Sequence, residues 1–229
     1  MTEKHTLRSF DDALDNLSSR ISTMGQHVIA MVDTAGKVFR DRDVEGAKQL
    51  VRRDLDIDRQ QDEINAAVVE LLSRFNPIAR DLREVLAMEH VAANLERIGD
   101  HAKNIAKRSI TGPQPIASGG GAELLDQLHN FVLRSLRDVM RALGDRDVLL
   151  ADQVHRNDDH MDQLYDDLFH TIIADLQVSH GTAANEIQAL FVGKSLERIG
   201  DHATNIAEEI RFMTKGDMPS ATRESDLSH

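Results

Sequence analysis

The segment Leu95 to Ala106, LERIGDHAKNIA, returns 101 residues downstream as Leu196 to Ala207, LERIGDHATNIA, with one residue changed in twelve. So close a match marks a duplicated supersecondary unit, and the chain is read as two similar halves. Each copy carries a Glu and an Asp four residues apart, Glu96 with Asp100 and Glu197 with Asp201. On a helix that spacing turns the side chains only about 40° from each other, so both carboxylates share a face and can reach one cation.

Apolar residues recurring at spacings of three and four predict helices throughout. The first runs from about Phe10, with Ser9 as its N-cap, to near Phe39, its stripe carried by Leu14, Leu17, Ile21, Met24 and Val28. The second spans about 44–74 and is stopped by Asn76-Pro77, with Pro77 placed to open the third, about 78–108, which contains the first signature. The stretch TGPQPIASGGG, 111–121, reads as a linker between a first three-helix bundle (1–110) and a second (122–214). In the second half, helices are expected at about 122–143, 148–176 and 186–214, with a polar loop at 179–185 and a frayed tail at 215–229. The fold class is all-α: two tandem three-helix bundles related by pseudo-symmetry, six long helices in all.

Composition agrees with aliphatic helical cores, since aromatics are 3% of residues and Trp is absent. The absence of Cys excludes disulfides and thiolate metal sites. No apolar run of about 18 residues could span a bilayer, and the N-terminus lacks the apolar core of a signal peptide, so a cytoplasmic protein is expected. A formal charge of −12 repels phosphate backbones and anionic lipid, which argues against nucleic acid and for cations or basic protein surfaces as partners.

On a wheel with Glu96 at 0°, Leu95, Ile98, Ala102 and Ile105 fall at roughly 180–260°, the buried seam, and Glu96, Asp100 and Asn104 at roughly 0–80°. The acidic pair is therefore expected at the surface, unlike the inward Glu-x-x-His ligands of di-iron bundles. The second helix offers Asp54 and Asp58, and the fifth offers Asp158 and Asp162. If paired helices lie side by side, each half presents four carboxylates, an all-oxygen set suited to Mg, Mn, Ca or ferric iron, with Zn less well served. The alternative is an ordinary solvated acidic face with partners such as Arg97 and Arg198. Gly99 and Gly200, at equivalent mid-helix positions, are read as points of close helix approach. His101 and His202 turn away from the carboxylates and are expected outside any ligand sphere, and His155 lies on the Asp158 face without a first-half counterpart. Arg80, Asp81, Arg83 and Glu84 form a charged first turn of the third helix or, alternatively, a docking surface. No nucleotide loop or nucleophilic triad can be picked out.

The doubled LERIGDHAxNIA, the NPIARDLR opening of the third helix and the two DxxxD segments resemble the PhoU family, regulators of bacterial phosphate uptake. The resemblance covers the chain to about residue 214. It implies surface metal clusters held by E(D)xxxD motif pairs, which here are Asp54, Asp58, Glu96 and Asp100 in one half and Asp158, Asp162, Glu197 and Asp201 in the other. It also implies a non-enzymatic, cytoplasmic and often homodimeric adaptor between the ATPase of a phosphate ABC transporter and a phosphate-sensing histidine kinase, repressing the starvation response. The metal would be Fe, Mn, Mg or Zn. Two differences, Glu89 against Leu190 and Ala93 against Lys194, lower the negative potential near the second site and predict weaker cation binding there. The competing readings are a carboxylate-bridged multi-metal hydrolase or oxidase and a metal-free dimeric helical scaffold.

Overall fold

The computed structural model of the protein describes residues 2–112, 120–178 and 183–216. Residues 113–119 of the expected linker, 179–182 of the polar loop and the expected tail from 217 onward lie outside the described residues. Every described element is an α-helix: α1 (Thr2–Asp41), α2 (Val44–Phe75), α3 (Ala79–Thr111), α4 (Gly120–Asp145), α5 (Val148–Arg156), α6 (Asp158–Val178) and α7 (Ala183–Lys215). In the first half α1, α2 and α3 pack pairwise, and in the second α4, α7 and the consecutive pair α5 and α6 do the same. The halves join where α3 lies against α7 and α1 against α4, so their buried aliphatic residues merge into one continuous core.

The duplication is visible in the backbone. Arg42 and Arg146 both turn through the left-handed region, with φ of 52° and 53°. The next residue in each case is an N-cap: the Asp43 side chain accepts from the Gly46 N–H, and that of Asp147 from the N–H groups of Leu149 and Leu150. Each cap satisfies donors that the helix itself leaves open. At the end of α2, Asn76 adopts φ 46° and its N–H donates to the Leu72 carbonyl, which closes the helix before Pro77.

Thr111, Gly120 and Gly121 of the expected linker and residues 183–185 of the expected loop are helical, and three larger differences from the sequence-based reading stand out. Helix α1 extends back to Thr2, so Ser9 lies inside it and is not a cap. Helix α3 starts at Ala79 after an extended Ile78, so Pro77 ends α2 without opening α3. The single long fifth helix is interrupted at Asn157, whose N–H is shared between the Gln153 and Val154 carbonyls, 3.1 and 3.2 Å away. The local charges suit an end and a new start, with His155 and Arg156 closing α5 and Asp158 and Asp159 opening α6.

Of the charged group opening α3, Glu84 turns inward and is 4% exposed. It is bound by Arg146 from the turn between α4 and α5, so this pair ties the start of α3 to the other half. Burial pushes the Glu84 carboxyl upward, against the pull of Arg146 and Arg80.

The repeated glycines differ in their surroundings. A methyl group on Gly99 would touch Ile57 Cγ2 at 3.4 Å, an ordinary contact, whereas on Gly200 it would overlap Sδ and Cε of the buried Met161. Gly99→Ala is therefore expected to stabilise the protein by up to about 1 kcal/mol through helix propensity. Gly200→Ala is expected to destabilise it by about 1–2 kcal/mol, because Met161 must repack in a filled interior. Urea unfolding midpoints of the two variants will test this, and shifts of the same sign would refute the packing argument.

Candidate functional site

In the first half, α2 and α3 bring the expected carboxylates together, but around a side chain that the helical wheel did not single out. Lys103 Nζ donates to Asp54 Oδ2 at 2.5 Å and also to Asp100 Oδ1. One ammonium thus lies between an acid of α2 and an acid of α3. Asp54 is only 4% exposed, and Glu96 is mostly covered. The expectation of acids displayed at the surface holds in part: Asp58 and Asp100 stay partly exposed, while the docking of α2 covers Asp54 and most of Glu96.

The electrostatics reflect the crowding. Burial pushes the Asp58 carboxyl up, reinforced by Asp54 and opposed by Lys103. Burial also raises Glu96, with Asp100, Asp58 and Asp54 adding to it and Arg97 opposing. Desolvation pulls the Lys103 ammonium down, yet its hydrogen bonds to Asp100 and Asp54 outweigh this and carry it above the ordinary lysine value. The four acids of the first half therefore share one field, with a lysine as its counter-charge.

The second half departs at the one residue by which the signatures differ. Thr204 stands in the place of Lys103, and its hydroxyl donates to Asp158 Oδ1 at 3.0 Å, linking α6 to α7 without a cation. Asp158 is the first residue of α6, whereas Asp54 sits in the middle of α2. Lys194 pairs with Glu197 at 2.6 Å, and Arg198 reaches Asp201 at 3.6 Å. His155 leans towards Glu208, 3.9 Å away. His101 and His202 face each other across α3 and α7, with ring centroids 5.8 Å apart, and His202 Nδ1 is 2.9 Å from Asn94 Oδ1. Burial, with Arg198 nearby, holds His101 below its usual value.

As these side chains stand, no group of three or more Asp, Glu and His among the described residues is arranged to hold a metal ion. In the first half the misfit has a plain cause, since an ammonium already fills the space between Asp54 and Asp100. The second half offers oxygen donors from Asp158, Asp162, Glu197, Asp201 and Thr204, the chemistry that hard cations prefer.

A duplicated all-α bundle whose halves carry matched ExxxD and DxxxD helix pairs defines a class of helical-bundle proteins with acidic inter-helix faces. The PhoU domain matches residues 21–109 and again 125–210, and the chain belongs to the PhoU family. The phosphate-specific transport system accessory protein PhoU homolog of Xylella fastidiosa is 37% identical over 223 residues, covering 96% of this chain and 92% of that relative. The Escherichia coli K12 protein named phosphate-specific transport system accessory protein PhoU is 29% identical, covering 93% of this chain and 88% of its own length. The crystal structure of the phosphate transport system regulatory protein PhoU from Streptococcus pneumoniae superposes with a TM-score of 0.85 at 27% identity, covering 92% of this chain and 99% of that one.

Proposed function

We propose that this protein is a cytoplasmic adaptor that links the ATPase of a phosphate ABC transporter to a phosphate-sensing histidine kinase. In this reading it works as a homodimer and represses the phosphate-starvation response when phosphate is ample. The observation that carries the reading is the full-length match to accessory proteins of phosphate transport, with both copies of the signature intact. Membership of this family makes the chain an accessory regulatory protein and not an enzyme. Among the described residues no helix is long and apolar enough to cross a membrane, which suits a protein docking on a transporter from one side.

The metal reading divides between the halves. Lys103 favours a metal-free first half, in which the ammonium balances Asp54 and Asp100. In the second half Asp158, Asp162, Glu197 and Asp201 would hold a cation such as Mn, Mg, Fe or Zn, with the Thr204 hydroxyl beside Asp158. A bound cation would neutralise the acids and offer a Lewis-acidic position for phosphate oxygens. This ordering reverses the expectation of weaker binding in the second half, because an ammonium across a buried acid outweighs the more exposed Lys194.

Two measurements test the reading. A deletion strain is expected to express phosphate-starvation genes under phosphate excess, and unchanged repression would end the regulatory proposal. In calorimetric titration with Mn2+, Thr204→Lys is expected to weaken binding at least tenfold, about 1.4 kcal/mol, while Lys103→Thr adds cation uptake in the first half. Unchanged affinity in Thr204→Lys would remove the second half as the cation site.

A further inference from the structure

Beside the crossing of α3 and α7 lies a cleft of about 460 Å3 whose walls carry Lys107, Arg108 and Lys194 together with Asn104, Thr111 and Ser195. No Asp or Glu lines it, in a chain with 39 acidic and 27 basic residues. Lys194 is paired at 2.6 Å with Glu197, which does not line the cleft, and the other two cations have no carboxylate partner among the described residues. Lys107 is exposed, with no ion pair among the described residues. Arg108 has neutral neighbours: Nη1 donates to Gln188 Oε1 at 2.9 Å, and the guanidinium lies 4.2 Å from the centroid of the Phe191 ring. Its Nε is buried with no hydrogen-bond partner. Burial alone holds the Arg108 guanidinium below its usual value, the mark of a positive charge lacking an anion.

The duplication provides an internal control. The signature's offset of 101 residues carries Lys107, Arg108 and Lys194 onto Glu208, Glu209 and Ala93, and Phe191 onto His90. At that related mouth Glu209 is buried and pairs with His90 at 3.0 Å, as Arg108 pairs with Phe191 at this one. The same helix crossing thus packs with either sign of charge, so packing does not require the cations. The field of the α3 C-terminus accounts for a base in its last turn, and Glu197 for Lys194, but neither accounts for a cleft between them with no acid in its lining.

We propose that this cleft binds an anion carrying linked phosphoryl groups, with Lys107 and Arg108 neutralising its charge, Lys194 contributing an ammonium shared with Glu197, and Asn104, Thr111 and Ser195 bonding its oxygens. Two cations without a carboxylate partner, a third shared with Glu197, and amide and hydroxyl groups match a multivalent oxyanion, and the cleft is larger than a single orthophosphate needs. The site needs no metal, and it meets the second-half acids at Lys194, which is shared with Glu197. Two sources share the chemistry, inorganic polyphosphate and a nucleotide.

The test is calorimetric titration of the full-length protein with tripolyphosphate and, separately, ATP, in metal-free buffer. Saturable binding is expected that weakens as NaCl rises, and that falls at least tenfold in Lys107→Glu/Arg108→Glu, which installs the residues of the second half. The single variant Lys107→Glu changes an exposed side chain, so it keeps the fold even if loss of the Arg108 contacts disturbs the double variant, and it is expected to lose about fivefold. Equal affinities for the two ligands would identify the phosphate chain as what is read, and markedly tighter ATP binding would add the base. No binding by the wild type at millimolar tripolyphosphate, or an affinity unchanged by Lys107→Glu, would overturn the proposal.

Discussion

Lys103→Met is expected to lower the free energy of unfolding by about 3 kcal/mol near neutral pH, because it strips the counter-charge from the buried Asp54. Truncating one member of a buried ion pair costs more than the pair itself contributes, since the remaining charge stays desolvated. For a chain of this length the loss corresponds to roughly 6–12 °C in melting temperature. The pH dependence follows from the directions of the shifts. Lys103 lies above the ordinary lysine value when folded, so its contribution is complete below that value and is lost only as pH rises through the raised one. Asp58 and Glu96 are raised, so they favour the folded state at acidic pH and weaken it as pH rises past the usual carboxylate range. Lys103 opposes the rise of Asp58, so its removal raises that carboxyl further; the variant's deficit should then shrink on acidification that protonates it, and urea melts across that range measure it. A loss under about 1 kcal/mol would mean that the lysine behaves as a screened surface group.

Arg146→Met is expected to cost about 3 kcal/mol by leaving Glu84 buried beneath α3 without its cation. Arg146 is itself 46% exposed, so almost all of the effect comes from the acid it leaves behind. Glu84 is already raised by burial, with Arg146 opposing, so removal of the arginine raises it further. The folded form then holds a proton that the unfolded chain releases, and stability falls as pH rises through that window. Stability should thus depend on pH more steeply in the variant than in the wild type. Because the pair joins the two halves, hydrogen exchange at the start of α3 and in the turn before α5 should speed up together. Exchange confined to one side would count against the tie.

Much of this was legible in the chain itself. The apolar periods of α2, α3, α4 and α7 located those helices to within a few residues, since burial on one face leaves a pattern that needs no partner to read. The interruption at Asn157 had a signal in His155-Arg156-Asn157-Asp158-Asp159, basic residues before acidic ones, but the apolar stripe runs through it and masks the break. The candidate acids were found by spacing, and Asp54 and Asp100 do meet at one ammonium. Lys103 was in plain view as the single change in the signature, next to Thr204, yet nothing local marks it as the residue that spans two helices.

From its own order of residues the chain settles that it is helical, that it is doubled, and which carboxylates share a helix face, because periodicity and the 3.6-residue turn are local properties. Only the docked structure decides that Asp54 is buried, that Lys103 reaches an acid 49 residues away, that Glu84 finds Arg146 in the other half, and that three cations gather where α3 crosses α7. The reason is geometric: a helix fixes the angle of each side chain about its own axis, but the rotation and slide of one helix against its neighbour come from the whole packed core.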